Sequence, residues 1–233
     1  MSAFKDFLVN NFSFLGKYKR WMVAFKDSLF SVRKSYSQYG EDAYIASILE
    51  QYNLNNAMYV DIGANHPTDI SNTYLLYRKG MQGVVIEPNQ ELIGLFRRFR
   101  KRDIPLGIGC SNISSVLKFN ISKTPVLSSF SDNRDINVYK LMYLPVMKLD
   151  QALSSIQCPV ISVLSIDVEG LNKEVLEGSK DSLQKTLLLC IEYDTPEEKL
   201  DFESLLDSNF ELINTVHCNL IYLNKKMAAH LKA

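Results

Sequence analysis

The sequence predicts an α/β protein in which helices cover both faces of a mainly parallel, Rossmann-like sheet. From position 57 onward, short apolar runs of strand length alternate with amphipathic stretches of helical length, as expected for a three-layer α/β sandwich. After the last predicted helix, the chain ends in two strand-like runs rather than one. That ending fits a sheet whose last strand inserts antiparallel to its neighbours.

Each predicted strand is a short apolar run bounded by polar or turn-forming residues. The strands cover residues 58–60, 84–86, 104–110, 115–121, 160–166, 186–191, 210–216 and 219–223. Helical spacing of apolar residues predicts helices over 1–34, 69–79, 90–101 and 196–208, with shorter ones after Ser37 and up to 177. Residues 61–65 are predicted to form a loop, and residues 122–145 an irregular insertion.

Length and composition indicate one globular domain at residues 35–233, with an extension at residues 1–34. Of the 233 residues, 46% are hydrophobic and 22% are charged, which allows a sizeable core. No apolar run approaches the ~20 residues that span a bilayer, and no leader with a cleavage site is visible. Four widely spaced cysteines lack metal-ligand pairing, so they are expected to be reduced core residues. We therefore expect a cytoplasmic protein.

The first 34 residues combine an apolar stripe with an excess of positive charge. They carry seven basic and two acidic residues, a net charge of +5, whereas the remainder carries −5. The apolar members recur every three or four positions, at Phe4, Leu8, Phe12, Leu15, Tyr18, Met22, Phe25 and Leu29. Packing on the domain, a homodimer contact, a lid, and peripheral attachment to the inner face of an anionic membrane all fit this pattern. Nucleic-acid binding fits poorly, because the acidic body has no extended basic stripe.

The first two predicted strands are each followed by an acidic residue, and ligands bind at such strand ends in doubly wound sheets. Asp61 follows the first strand in a loop that contains Gly63, and Glu87 follows the second strand. The loop lacks the G-x-G-x-x-G pattern that holds a pyrophosphate. A carboxylate after the second strand can accept hydrogen bonds from both ribose hydroxyls. Together, the two acids suit an adenosine ligand with a cationic tail.

Five ordered motifs resemble those of the FkbM-type methyltransferases, over about residues 36–224. They are SQYGED (37–42), YVDIGANHP (59–67), SNT (71–73), IEPN (86–89) and LSIDVEG (164–170). The resemblance implies a Rossmann-like class I methyltransferase with a seven-stranded sheet. It also implies that S-adenosylmethionine (SAM) is the methyl donor, and that the acceptor is a hydroxyl of a sugar, a glycan or another secondary metabolite.

The resemblance also implies a set of SAM-binding residues. In it, Asp61, Gly63 and Asn65 line the amino-acid tail of SAM, and Glu87 holds the ribose. Ser111 or Asn112, just after the third strand, would lie near the adenine. The complete predicted set is Gln38, Glu41, Asp61, Gly63, Ala64, Asn65, Asn72, Glu87, Pro88, Asn89, Ser111 and Asp167.

Methyl transfer to a neutral alcohol benefits from a base near the acceptor hydroxyl. Asp167 and Glu169 follow the fourth parallel strand and are the leading candidates, with capping of the next helix as the alternative for Asp167. His66, directly after the first loop, is a further candidate base, and bracing that loop is its alternative role. Asp167, Glu169 and Glu192 together offer ligands for Mg²⁺, but no ligand spacing demands a metal and none is predicted.

Two other functions compete with methyl transfer. A NAD-dependent oxidoreductase would use the same sheet, and the missing G-x-G-x-x-G argues against it. The protein could instead be a non-catalytic module that keeps a vestigial SAM pocket. The intact acids at positions 61, 87 and 167 argue against such a loss of activity. In the insertion, Ser128-Ser129 either contacts substrate or belongs to a surface loop.

Overall fold

A computed structural model describes residues 16–29, 33–52, 54, 57–122, 128–130 and 138–232 of the chain. Predictions for residues 1–15 and 30–32 of the extension, and for 123–127 and 131–137 of the insertion, lie outside the described residues. The described strands are β1 (Ala57–Ile62), β2 (Gly83–Ile86), β3 (Ile104–Leu106), β4 (Gly109–Cys110), β5 (Ser115–Ser122), β6 (Val138–Met147), β7 (Val160–Ile166), β8 (Thr186–Glu192), β9 (Phe210–Val216) and β10 (Asn219–Asn224). The described helices are α1 (16–29), α2 (Glu41–Leu49), α3 (Tyr74–Arg78), α4 (Gln90–Phe99), α5 (Leu149–Ala152), α6 (Asn172–Glu177), α7 (Lys180–Gln184), α8 (Pro196–Leu205) and α9 (Lys225–Lys232).

Seven of the described strands form one sheet, in the order β3-β2-β1-β7-β8-β10-β9. The pairs from β3 to β8 are parallel, whereas β10 runs antiparallel to both β8 and β9. The chain winds outward from β1 to β3 and starts again at β7, so the strand order reverses between β1 and β7. This confirms the predicted Rossmann-like, seven-stranded and mostly parallel sheet with its antiparallel C-terminal strand.

Two apolar cores lie on the two faces of this sheet. Side chains at alternate positions of β1 belong to different cores: Met58, Val60 and Ile62 to one, and Tyr59 to the other. This alternation follows from the two-residue period of a strand. Central strands are buried on both faces, as expected where helices cover both sides of a parallel sheet. Three of the cysteines are free and buried as predicted, namely Cys110, Cys158 and Cys190.

A second sheet, β4-β6-β5, occupies part of the predicted insertion. β6 pairs antiparallel with β5, so the prediction that residues 122–145 are irregular is wrong for Ser122 and for residues 138–145. Along β6, the buried Leu144 and Val146 alternate with Tyr143, which is exposed. Apolar residues occupy both faces of this strand, and they hide its two-residue period in the sequence. The predicted strand 104–110 is split, because β3 joins the large sheet and β4 joins the small one.

Two element boundaries near the first loop also differ from the prediction. Helix α3 begins only at Tyr74, where the Ser71 hydroxyl accepts the Tyr74 backbone N–H at 3.2 Å. The preceding residues, predicted to be helical, form bends instead. β1 extends through Asp61 and Ile62, so the loop predicted at 61–65 begins two residues later.

Helix α1 packs on the domain by a face other than its apolar stripe. Ala24 and Asp27 are fully buried, and the Asp27 carboxylate accepts hydrogen bonds from Arg33 at 2.9 Å and Thr68 at 3.3 Å. The described members of the stripe are all exposed: Tyr18, Met22, Phe25 and Leu29. Packing of the stripe on the domain, one alternative raised by the sequence, is therefore not what the described residues show. None of the described helices is long and apolar enough to cross a membrane.

A fully buried cation, Arg100, connects the end of α4 to the end of β1. Its Nε lies 2.6 Å from the Asp103 carboxylate, and neither side chain is exposed. The guanidinium also donates to the Thr73 hydroxyl at 2.9 Å, and that hydroxyl donates to Asp61 at 2.5 Å. Four aromatic rings surround the guanidinium, those of Tyr59, Tyr74, Tyr77 and Phe96. The network holds the last turn of one helix against the central strand.

Replacement of this cation tests the network. Arg100→Lys should lower the free energy of unfolding by about 3 kcal/mol, because lysine keeps the charge but not the fork of donors that binds Asp103 and Thr73. Urea denaturation at neutral pH measures the loss. The matched control is Arg97→Lys in α4, where the arginine is exposed, and its effect should stay within about 0.5 kcal/mol. Equal stability of the two variants would show that the buried network contributes nothing special.

Candidate active site

A cavity of about 330 Å³ opens at the carboxyl ends of β1, β2 and β7. The strand order reverses there, so the connections that follow these strands diverge and leave a crevice. The small sheet closes another side. The lining residues are Gln38, Ile62, Gly63, Asn65, Ile70, Ile86, Glu87, Pro88, Asn89, Ile108, Gly109, Cys110, Phe119, Ser128, Phe130, Asp167, Val168, Glu169 and Glu192.

Glu87 lines the cavity at the end of β2, and backbone amides hold both of its carboxylate oxygens. The Asn65 N–H donates to one oxygen at 3.0 Å, and the Asn89 N–H donates to the other at 2.7 Å. Burial raises the pKa of Glu87 to about 7, although both amide donors favour the charged form. Each oxygen retains a lone pair. The carboxylate can therefore accept two more hydrogen bonds from a vicinal diol.

Asp61 points away from the cavity. It lies in β1 on the same face as Tyr59, whereas its neighbour Ile62 lines the cavity. Its carboxylate accepts the Thr73 hydroxyl. Burial raises the pKa of Asp61, and the nearby Arg100 opposes that rise. Because Asp61 belongs to the strand and not to the loop, its side chain follows the strand alternation into the protein.

Three carboxylates, those of Asp167, Glu169 and Glu192, meet at the ends of β7 and β8. One oxygen of each lies within 4.8 Å of the other two. Burial, followed by the charge of Glu192, raises the pKa of Asp167 well above its usual value. The Asp167 Oδ1 atom is buried without a hydrogen-bond partner. Helix α6 has no side-chain cap, so the capping role considered for Asp167 is not observed.

The small sheet gives the cavity an aromatic wall. The rings of Phe119 and Phe130 lie 4.6 Å apart, and Ser128 lines the cavity beside them. The Ser129 hydroxyl donates to the Glu169 carbonyl at 2.5 Å, which ties this wall to the loop after β7. Sequence analysis raised the serine pair but missed both phenylalanines. The position of Phe130 directly after the pair was the available signal.

Backbone strain is concentrated around the cavity. Three non-glycine lining residues have positive φ angles, Asn65 (46°), Ile70 (50°) and Glu169 (52°). Asparagine tolerates this conformation, whereas a β-branched isoleucine adopts it at a cost. Such outliers persist only where the surrounding structure enforces them, as at binding and catalytic sites. Ile70 was missed in the sequence because nothing in its residue type signals this backbone angle.

The structure brings most of the predicted site residues to the cavity. Those that line it are Gln38, Gly63, Asn65, Glu87, Pro88, Asn89, Asp167 and Glu169. Those that do not are Glu41, Asp61, Ala64, His66, Asn72 and Ser111. Glu41 instead accepts the Asn219 amide at 2.9 Å, and the Asn72 amide donates to Ser165 at 3.2 Å.

His66 lies behind the first loop and contacts α1 instead of the cavity. Its Nε2 is 3.0 Å from the Arg20 carbonyl oxygen, and its Nδ1 accepts the Asp69 N–H at 3.2 Å. Burial lowers the pKa of the imidazole, so the ring is neutral and donates through Nε2. Both ring nitrogens are engaged by backbone groups. This arrangement fits the bracing role and leaves the hypothesis of a catalytic base without geometric support.

The charge of the residues that line the cavity favours a cationic ligand over a dinucleotide. Within the described part of the chain, no lysine or arginine lines it, whereas four carboxylates do: Glu87, Asp167, Glu169 and Glu192. A dinucleotide would bring its pyrophosphate among these acids and be repelled. A cationic adenosine derivative would be attracted. These carboxylates thus fit SAM, which carries a sulfonium and an ammonium, and do not fit NAD.

Comparison with known families agrees with this chemistry. The model of the methyltransferase FkbM domain matches residues 61–216, more than half of the chain. The chain belongs to the FkbM methyltransferase family. The match begins at Asp61 and includes Glu87 and the three carboxylates at the ends of β7 and β8. A comparison with curated proteins gave no match.

The FkbM chain is similar to two solved methyltransferase structures. It is similar to the methyltransferase FkbM from Methylobacillus flagellatus KT, with 18% identity and a TM-score of 0.49, over 72% of this chain and 44% of that chain. It is also similar to a putative O-methyltransferase from Klebsiella pneumoniae, with 10% identity and a TM-score of 0.45, over 88% and 90% of the two chains. The chain thus spans less than half of the Methylobacillus protein. The family assignment depends on the family match and not on these similarities.

The close approach of β1 and β7 can be tested at Gly63. A Cβ atom there would lie 1.7 Å from the Asp167 carbonyl oxygen, and the φ angle of Gly63 is 78°. Gly63→Ala should therefore destabilise the protein by more than about 2 kcal/mol, measured by urea denaturation. The matched control is Gly94→Ala in α4, where a Cβ meets nothing within 4 Å. It should be neutral or stabilise by up to about 1 kcal/mol, and a similar result at Gly63 would contradict the packing described.

Proposed function

We propose that the protein transfers the methyl group of SAM to a hydroxyl group of a sugar or glycan. The observation that carries the donor assignment is the acid-lined cavity, in which Glu87 is held by two amides and no basic residue is found among the described lining residues. Membership of the FkbM family supports methyl transfer. The hydroxyl acceptor is supported by the carboxylate cluster.

Residues along the base of the cavity match the three parts of SAM, and they follow one another in the same order along the protein chain. The turn at Gly63 and Asn65 exposes backbone to the amino-acid tail, because no Cβ stands at position 63. Glu87 accepts the two ribose hydroxyls. Ile108, between β3 and β4, and Cys110, in β4, give an apolar surface for the adenine.

The carboxylates after β7 and β8 suit a hydroxyl acceptor. When bound, SAM supplies a methyl carbon that bonds to the acceptor oxygen as its own bond to sulfur breaks. Asp167 takes the acceptor proton, and its raised pKa makes it a stronger base than an exposed carboxylate. Glu169 and Glu192 accept hydrogen bonds from neighbouring hydroxyls, of which a sugar has several. The apolar wall of Phe119 and Phe130 supports the face of the sugar ring.

The same three carboxylates are where a divalent cation would bind, because oxygen ligands are those that Mg²⁺ prefers. Bound there, the cation would lower the pKa of a coordinated hydroxyl and relieve the repulsion among the acids. Proton transfer to Asp167 explains the cluster without a metal, and it is the mechanism we favour. Activity with and without a chelator distinguishes the two.

Glu87 makes donor binding sensitive to pH. Because its pKa is raised to about 7, it is largely protonated below that pH and then offers fewer acceptors to the ribose hydroxyls. Titration calorimetry with S-adenosylhomocysteine should show affinity falling severalfold from about pH 8 to about pH 6. Glu87→Gln should weaken binding by about tenfold or more and flatten this profile.

The control for Glu87 is Glu197→Gln in α8, where the side chain is exposed. It should retain both the affinity and the pH profile of the wild type. Titration of the ligand's own amino group would appear in all three proteins, so it cannot imitate the effect of Glu87. An unchanged profile in Glu87→Gln would remove this residue from the donor site.

Asp167 is expected to act on the chemical step rather than on donor binding. With an acceptor identified by screening sugars and glycosides with methyl-labelled SAM, Asp167→Asn should lower kcat by about 10²-fold or more. Affinity for S-adenosylhomocysteine should change little. If EDTA leaves the wild-type rate unchanged, the proton-transfer mechanism holds, whereas loss restored by Mg²⁺ would favour the metal-assisted one. Wild-type turnover by Asp167→Asn would refute its role, and donor binding without transfer to any acceptor would favour a non-catalytic module.

A further inference from the structure

Among the described residues, helix α1 presents an apolar stripe to solvent. Its members Tyr18, Met22, Phe25 and Leu29 are exposed by 55%, 40%, 38% and 59%. They are spaced by four, three and four residues, which places them on one side of a helix. Large apolar side chains in one contiguous strip mark an interaction surface more often than isolated ones do.

The opposite side of α1 is fixed to the domain, so the stripe cannot turn inward. Asp27 is fully buried and is bound by Arg33 and Thr68. Nearer the start of the helix, Arg20 forms an ion pair with Glu91 at 3.2 Å. The Trp21 ring packs edge-on against Phe99 of α4 at 6.2 Å. The outward direction of the stripe is therefore set by the docking of the helix.

Positive charge flanks the stripe. Lys19 and Lys26 are exposed and project from one edge of it, about 80–100° around the helix from Tyr18 at 100° per residue. The acidic residue of the helix, Asp27, is buried on the far side. The solvent-facing surface of α1 is thus apolar and cationic, which is the composition of a helix that lies in an anionic membrane interface.

A second copy of the chain is a poorer partner for this surface. In a symmetric dimer, the same patch would meet itself. If the two helices pair antiparallel, Lys19 and Lys26 lie along the same edge as the lysines of the second copy, and like charges repel. An anionic bilayer offers an apolar interior for the stripe and negative head groups for the lysines.

We propose that α1 seats the protein on an anionic membrane surface through Tyr18, Met22, Phe25 and Leu29, with Lys19 and Lys26 at the head groups. The docked end of the helix adjoins the cavity. Arg20 contacts Glu91, two residues after the lining residue Asn89, and its carbonyl contacts His66, next to the lining residue Asn65. The helix proposed to contact the membrane thus packs on residues that neighbour the cavity lining.

Flotation of the full chain with vesicles tests this proposal. Vesicles of phosphatidylcholine and phosphatidylglycerol in equal parts should carry the protein, and phosphatidylcholine alone should carry much less. The double variant Met22→Gln/Leu29→Gln should lose at least tenfold in affinity, because apolar side chains no longer enter the bilayer. Lys19→Gln/Lys26→Gln should lose about fivefold per lysine, and the loss should shrink at high salt.

The matched control is Leu141→Gln/Tyr143→Gln on β6, where both apolar side chains are also exposed. It should float like the wild type, and all variants should bind S-adenosylhomocysteine equally. That readout separates this proposal from the proposed function, since either can fail alone. Equal flotation of the α1 variant and the control would overturn the proposal. So would a wild-type dimer in sedimentation equilibrium that the α1 variant converts to a monomer without any vesicle binding.

Discussion

The junction between β1 and β7 is the constraint on which the arrangement of the cavity depends. The Asp167 N–H donates to the Ile62 carbonyl at 3.0 Å, and the Gly63 N–H donates to the Ile86 carbonyl at 2.9 Å. These bonds bring the ends of three parallel strands to one place. A side chain at position 63 would collide with the backbone of Asp167. Only with glycine there can the acids after β2 and β7 face a common space.

The charged groups on the two sides of this junction are separated from each other. On the side away from the cavity, Arg100 forms an ion pair with Asp103. Its guanidinium also donates to the Thr73 hydroxyl, which in turn donates to Asp61. On the other side, the cavity carboxylates have no basic neighbour among the described lining residues. Asp61, near the end of β1, is thus hydrogen-bonded within the protein, whereas Glu87 lines the cavity. Two acids at adjacent strand ends, Asp61 and Glu87, therefore lie in different surroundings.

The sequence was sufficient for features that depend on local pattern. Strand-helix alternation predicted the sheet, and acids directly after apolar runs located Glu87 and Asp167 at the cavity. It failed where long-range packing decides. The orientation of Asp61 depends on whether the strand ends before or after it, and β6 depends on pairing with β5. In α1, the burial of Asp27, which accepts hydrogen bonds from Arg33 and Thr68, orients the helix, and hydrophobic periodicity alone cannot reveal this.

The two sides of the cavity come from separate parts of the architecture. One side is formed by strand ends of the large sheet, whereas on the other Phe119 belongs to β5 of the three-stranded sheet and Phe130 packs against it. That second side has its own small core, and the Ser129 contact with Glu169 joins it to the first. Because different sheets build the two sides, substitutions in the β5–β6 hairpin can reshape one side of the cavity without displacing the strand ends that form the other.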